Sequence, residues 1–212
     1  MATPGILMRL SNNPPPLTPL QIPNTTIEAI YTLSATDNET PASNTIYFLS
    51  DTTPLSAAHY TADKAANPSI HAWVVANFIN GRSSSEPNNE TTSPFTQPHV
   101  LPSAPIKGTV LVVNGSTPGS SEAVADYHNW YDREHGGKLA RVPGWIEGRR
   151  YAFAKAYGDI ETASFYGLNF YEEVNGLGGP EWQAGVTEWT MRVRKNAAKA
   201  NIRRMWRVEE TI

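Results

Sequence analysis

Two of the chain's five histidines sit seven residues apart in the segment Asp126-Tyr-His-Asn-Trp-Tyr-Asp-Arg-Glu-His135. On a helix turning about 100° per residue, that spacing brings His128 and His135 within about 20° of one direction. Val124, Tyr131, Leu139 and Val142 share it, so the helix is expected to turn both imidazoles toward its buried side. Imidazole titrates near neutral pH and can give or take a proton there. With Tyr131 between the rings, such a pair suits moving a proton between carbon and oxygen while an enolate charge is held. Asp132 lies about 40° from His128 around the axis, close enough to orient that ring.

The same residues have a bland reading, in which both histidines are hydrogen-bonded core groups. A shared metal ion fits the spacing poorly. Helical ligand pairs usually lie four apart, and seven residues separate the rings by about 10 Å along the axis. No metal and no organic cofactor are therefore expected. Strands flanking the helix bring further candidates. Asn114 can contact an oxyanion, Arg149 can hold a carboxylate or phenolate, and Tyr151 can donate a hydrogen bond. Successive strand residues face opposite ways, so of Arg149 and Arg150 one points to each face, and either can be the one in the pocket. Tyr127, Tyr131, Trp145, Trp182, Trp189 and Trp206 can line a flat aromatic pocket or simply fill the core. His59 and His71, in the other half of the chain, read as structural or surface residues.

The elements that must position these groups read most clearly after residue 106. Ile106 to Asn114 is a β-branched run and hence a strand. Ser120 or Ser121 caps the histidine helix, which runs to about Val142. Pro143-Gly144 turns the chain into a strand from Trp145 to Tyr157. Along it Trp145, Arg149, Tyr151, Phe153 and Tyr157 share one side. Phe165 to Glu172 is a strand. Gly179-Pro180 opens a second helix with stripe Trp182, Val186, Trp189 and Val193. Ile202 to Val208 is a last strand. The order βαββαβ is that of the ferredoxin-like unit. Before residue 81 the strands are Ile6–Leu10, Ile27–Ser34, Thr45–Leu49 and Ile70–Ile79, with a short helix from Thr53-Pro54. The first helix of the unit is replaced by a proline run at 12–23, which cannot continue a helix. Residues 81–105 have the Gly, Ser, Pro and Asn content of a linker. The expected fold is α+β: two ferredoxin-like units, 1–80 and 106–212, forming a dimeric-type α+β barrel with the site in the second only.

Trp130-Tyr-Asp-Arg-Glu-His135, followed by Val142-Pro-Gly-Trp and Gly148-Arg-Arg-Tyr151, resembles the helix-to-strand signature of the EthD-like members of the dimeric α+β barrel superfamily. The chain is most similar to the fungal proteins that carry two such units in tandem. The resemblance is carried by motifs over 106–212 and is only architectural before that. It implies a pocket between sheet and helices, no cofactor in most members, and His135 as the family's helix histidine. It also implies activities on polyketide-type aromatics in secondary metabolism: decarboxylation, cyclisation, dehydration or cofactor-free oxygenation.

Composition narrows the alternatives. In 212 residues, 40% hydrophobic, there is enough apolar material for a sizeable core. A net charge of -3 argues against a general nucleic-acid binder. With no cysteine, thiolate metal sites and cysteine nucleophiles are excluded. No signal peptide and no run long enough to cross a bilayer is read, so a cytoplasmic protein without membrane contact is expected. The expected partner is a small hydrophobic or aromatic substrate, and the protein is expected to be a monomeric pseudo-dimer or a homodimer. Three functions stay open. One is a cofactor-independent lyase or isomerase using His135 and His128 with Tyr131 and Asp132, and Asn114, Tyr127, Trp145, Arg149, Tyr151 and Trp189 around the substrate. The others are a cofactor-free oxygenase of the anthrone type and a non-catalytic binder of a hydrophobic molecule.

Overall fold

The computed structural model describes residues 2–13, 20, 22–84 and 97–212. Most of the proline run at 12–23, and residues 85–96 of the polar stretch at 81–105, lie outside them. The strands are β1 (Gly5–Ser11), β2 (Ile27–Ala35), β3 (Ser43–Leu49), β4 (Ile70–Ser83), β5 (Val110–Ser116), β6 (Trp145–Gly158), β7 (Phe165–Tyr171) and β8 (Ile202–Thr211). The helices are α1 (Ala57–Ala66), α2 (Ser121–Trp130), α3 (Gly136–Leu139), α4 (Pro180–Gln183) and α5 (Glu188–Lys195). A π turn, Tyr131–His135, joins α2 to α3.

All eight strands close into one antiparallel barrel in the order β1-β3-β2-β8-β5-β7-β6-β4. The expected α+β fold of two ferredoxin-like units is corrected by this: sheet dominates, and the helices are few and short. A local element order cannot show closure. Closure rests on long-range ladders, β2 on β8 and β4 on β6, which bond what would otherwise be free sheet edges. The β4–β6 ladder runs from Ala72↔Gly158 to Ser83↔Glu147, so Gly81–Ser83, read as linker, are strand. Residues read as one second helix divide into α4 and α5, and Val186 between them is exposed.

The two faces of the sheet carry different cores. Inside the barrel pack Ile6, Phe48, Tyr151, Leu168, Trp206 and Val208. Outside the first half, Leu7, Tyr47, Leu55 and Trp73 pack under α1. There Arg9, 1% exposed, gives two hydrogen bonds to Asp63, which also accepts from Trp73 Nε1. Outside the second half, Tyr127, Trp130, Tyr131, Leu139 and Val193 pack against Val112 and Tyr171 of the sheet. Strands β1 and β3 are buried at every position because both of their faces are covered, so their apolar residues show no simple alternation and Arg9 and Asn44 are buried among them.

Local signals set the helix ends beside the site. Ser120 Oγ accepts from the Ala123 N–H at 3.2 Å and caps α2. The Thr187 hydroxyl caps α5 through the Thr190 N–H at 3.1 Å. Gly144 turns the chain into β6 with φ +77°, where a Cβ would stand 2.9 Å from the Val174 carbonyl oxygen.

Candidate active site

The site lies between the outer face of β5, β7 and β8 and the layer formed by α2, the π turn, α3, α4 and α5. It is a cavity of about 180 Å³ walled by Asn114, Trp130, Tyr131, His135, Asn169 and Trp182. Val186 at its rim is 41% exposed, so the cavity opens there to solvent.

The π turn decides which histidine enters the cavity. The Gly136 N–H bonds to the Tyr131 carbonyl, five residues back rather than four. One residue inserted in this way turns the positions after it back by about 100° around the axis. His128 and His135, expected on one direction, are thereby separated. His135 lines the cavity; His128 does not. The expectation that both histidines face one cavity is corrected, and the cause is the phase of the helix.

His135 stacks on Trp130 with ring centroids 4.0 Å apart and meets Tyr131 edge-on at 5.6 Å. Its Nδ1 is buried and has no hydrogen-bond partner among the described residues. Burial, reinforced by the positive charges of Arg194 and Arg150, pushes its pKa down to about 3. The ring is therefore neutral at physiological pH and presents an uncommitted nitrogen at the cavity wall. Tyr131 behaves oppositely: burial raises its pKa, against Arg150 and the Asn169 side chain, so its phenol stays protonated. Asn169 is held in place by Trp145, whose Nε1–H donates to Oδ1 at 3.3 Å.

His128 belongs to a neighbouring network. Arg150 donates to its Nδ1 at 2.6 Å and to Asp132 Oδ1 at 2.5 Å. An arginine can only donate, so Nδ1 of His128 carries the lone pair and the ring is neutral. Burial and then Arg150 lower the pKa of His128, against Asp132. The guanidinium lies 4.3 Å over the Tyr131 ring, so this network fixes the tyrosine that borders the cavity.

Arg150, not Arg149, therefore faces the helices. Arg149 is fully buried inside the barrel, donating to Glu147 at 2.5 Å and to the Arg82 carbonyl at 3.2 Å. Gly81 makes room for it, since a Cβ there would stand 2.6 Å from Arg149 Cδ. Tyr151 is inside the barrel as well, donating to the His99 carbonyl at 3.3 Å. Both were expected at the substrate, and both are on the wrong side of the sheet. Trp145 was expected to share their side. A β-bulge between Trp145 and Glu147 sets it instead among the helix-facing residues. Trp189 is tied to Asp126, with Nε1 2.9 Å from Oδ1, and does not wall the cavity. Asn114, Tyr127, Tyr131 and His135 do.

Asn169, Thr190 and Arg203 wall the cavity and were not picked out from the sequence. Asn169 had a signal, a carboxamide inside the otherwise apolar strand Phe165-Tyr-Gly-Leu-Asn-Phe-Tyr171, where it is 2% exposed. Thr190 is engaged structurally, accepting from Trp130 Nε1 at 3.2 Å. Among the described residues no group of three or more His, Asp or Glu is placed to hold a metal ion. Nor is any described helix long and apolar enough to cross a membrane.

No family model matches the chain, and no curated protein does. Solved structures do resemble it. The structure of an anthrone oxidase-like protein aligns over 99% of this chain and 93% of its own, with TM-score 0.57 and 16% identity. A "putative monooxygenase" from Fusobacterium nucleatum aligns over 99% of this chain and 94% of its own, with TM-score 0.55 and 6% identity. At such identities the likeness is one of fold.

Proposed function

We propose that the protein is an oxygenase of the anthrone type, which oxidises an activated methylene of a flat aromatic substrate with molecular oxygen. The observation that carries the reading is the single neutral imidazole of His135, with Nδ1 unpartnered in an aromatic-walled cavity. A methylene beside an aromatic ketone is acidic because its anion is an enolate. His135 takes the proton, and the enolate oxygen is held by the Tyr131 phenol and the Asn114 amide. A lone imidazole of low basicity is a weak base in the free protein. The enolate forming beside it supplies the opposite charge that favours imidazolium, so proton transfer and charge pairing assist each other.

The enolate carbon then adds oxygen to give a hydroperoxide, which loses water to leave a ketone. One methylene and one O₂ become one carbonyl and one water. A lyase or isomerase using both imidazoles on one substrate fits less well, because His128 is bound to Arg150 outside the cavity. Oxygenation needs only one proton acceptor. The fold shared with an anthrone oxidase-like protein supports the reading, as does the likeness of Trp130–His135 to the EthD-like signature.

The test is an oxygen-electrode assay on chelator-treated protein with a hydroxyanthrone. One O₂ is expected per ketone formed, with no peroxide released and no added metal or flavin. Product without oxygen uptake would establish lyase chemistry, and tight binding without turnover would make the protein a carrier. The pH profile provides a second check. With the folded pKa of His135 near 3, kcat/KM should show no acid limb around pH 6.5, where an ordinary histidine would give one. A limb centred there would remove His135 from the proton-acceptor role.

A further inference from the structure

A second cavity, of about 190 Å³, lies on the other side of the sheet, at one end of the barrel interior. Met8, Leu10, Val74, Val113, Ile202 and Trp206 make its wall apolar, and exposed Thr40 and Glu161 stand at its mouth. Asn44 projects into it from β3, on the same face as Ile46 and Phe48 of the barrel core. Asn44 is 1% exposed, yet among the described residues neither its Oδ1 nor its Nδ2 has a hydrogen-bond partner.

The other large polar groups in this wall are already engaged. The Tyr166 hydroxyl accepts from the Ala163 N–H at 2.8 Å. The Arg204 guanidinium holds Asp37 at 2.9 Å and donates to the Glu39 and Pro41 carbonyls. Among the described residues of this wall, Asn44 alone offers a buried donor and a buried acceptor side by side. Leaving such a pair unmade is unfavourable, so the site is built for a group that satisfies both atoms.

We infer that the barrel interior holds a second ligand site, separate from the His135 cavity, for a small apolar molecule carrying a carboxamide. A primary amide presents its own C=O and N–H side by side, and it pairs with Asn44 through two antiparallel hydrogen bonds. The apolar wall takes the remainder of the molecule. A dry cavity of about 150 Å³ accepts benzene, so this one has room for a single substituted ring. The inference is independent of the reaction at His135.

Benzamide, acetophenone and ethylbenzene are nearly the same size and offer two, one and no hydrogen bonds to Asn44. The experiment is titration of the full chain with each, followed by NMR of the Asn44 side-chain amide and the Trp206 and Trp130 indoles. Benzamide should bind about ten- to a hundredfold more tightly than ethylbenzene, with acetophenone between them. It should shift Asn44 and Trp206 and leave Trp130, in the other cavity, unmoved. The Asn44→Leu variant should bind ethylbenzene and benzamide alike. The ligand series needs no variant, so failure of Asn44→Leu to fold would not spare the inference. It is overturned if the three ligands bind the wild type equally, if Trp130 shifts in place of Asn44, or if benzamide does not bind. A crystal structure showing only ordered waters on Asn44, undisplaced by benzamide, would overturn it too.

Discussion

Alanine in place of His135 should lower turnover of a hydroxyanthrone by a factor of about 10²–10⁴, the usual loss when a general base is removed. The fold and the melting temperature at pH 7.5 should change little, since the ring's contacts are a stack on Trp130 and an edge on Tyr131. A second measurement separates catalysis from structure. The folded pKa of His135 is pushed down to about 3, below the ordinary unfolded value near 6.5. The unfolded chain therefore binds the proton first as pH falls. The stability linked to this group is fully present above about pH 6.5 and drains away between there and about pH 3. Wild type should lose melting temperature more steeply than His135→Ala between pH 7 and pH 5. Full turnover in the variant would end the catalytic assignment. A large fall in its melting temperature at pH 7.5 would make His135 a structural histidine.

The largest expected loss of stability lies in the half that does not carry the His135 cavity. Arg9 and Asp63 are both buried beneath α1, with Nη2 and Oδ1 2.6 Å apart, and Trp73 gives its indole hydrogen to the same carboxylate at 2.9 Å. Asp63→Ala strips a buried guanidinium of its counter-charge and leaves the indole N–H unbonded. Breaking a buried pair from one side typically costs about 3–5 kcal/mol. For a chain of this size that lowers the melting temperature by roughly 6–20 °C. Replacing both partners by apolar groups, Arg9→Met with Asp63→Leu, should recover most of the loss, because no charge is then stranded. Calorimetry on wild type, Asp63→Ala and the double variant makes the comparison. A cost below about 1 kcal/mol for Asp63→Ala would mean that water reaches Arg9 and that the pair is not sealed. Together with Tyr47 and Trp73, this pair fills the space under α1, where the second half has its cavity.

The sequence by itself determined what depends on neighbours along the chain. Apolar and aromatic runs mark the strands to within a few residues, as with Phe165–Tyr171. Ser120 marks the start of α2, and Pro143-Gly144 marks the turn into β6. His128 and His135 stand out as an imidazole pair with Tyr131 between them, and of the three Tyr131 and His135 wall the cavity. The tertiary structure alone decided what depends on phase and closure. Two single-residue irregularities, the π turn at Tyr131–His135 and the bulge between Trp145 and Glu147, shift every position beyond them. The first separates His128 from His135, and the second parts Trp145 from Arg149 and Tyr151. Periodicity assumes an unbroken ladder, whereas a helix or strand accepts an extra residue only when distant packing repays the lost register. The same holds for closure, and for the choice of Arg150 over Arg149 as the arginine beneath the helices. Each depends on partners more than ten residues away, Asp132 and His128 for Arg150 and β4 for the whole of β6, which local spacing cannot show.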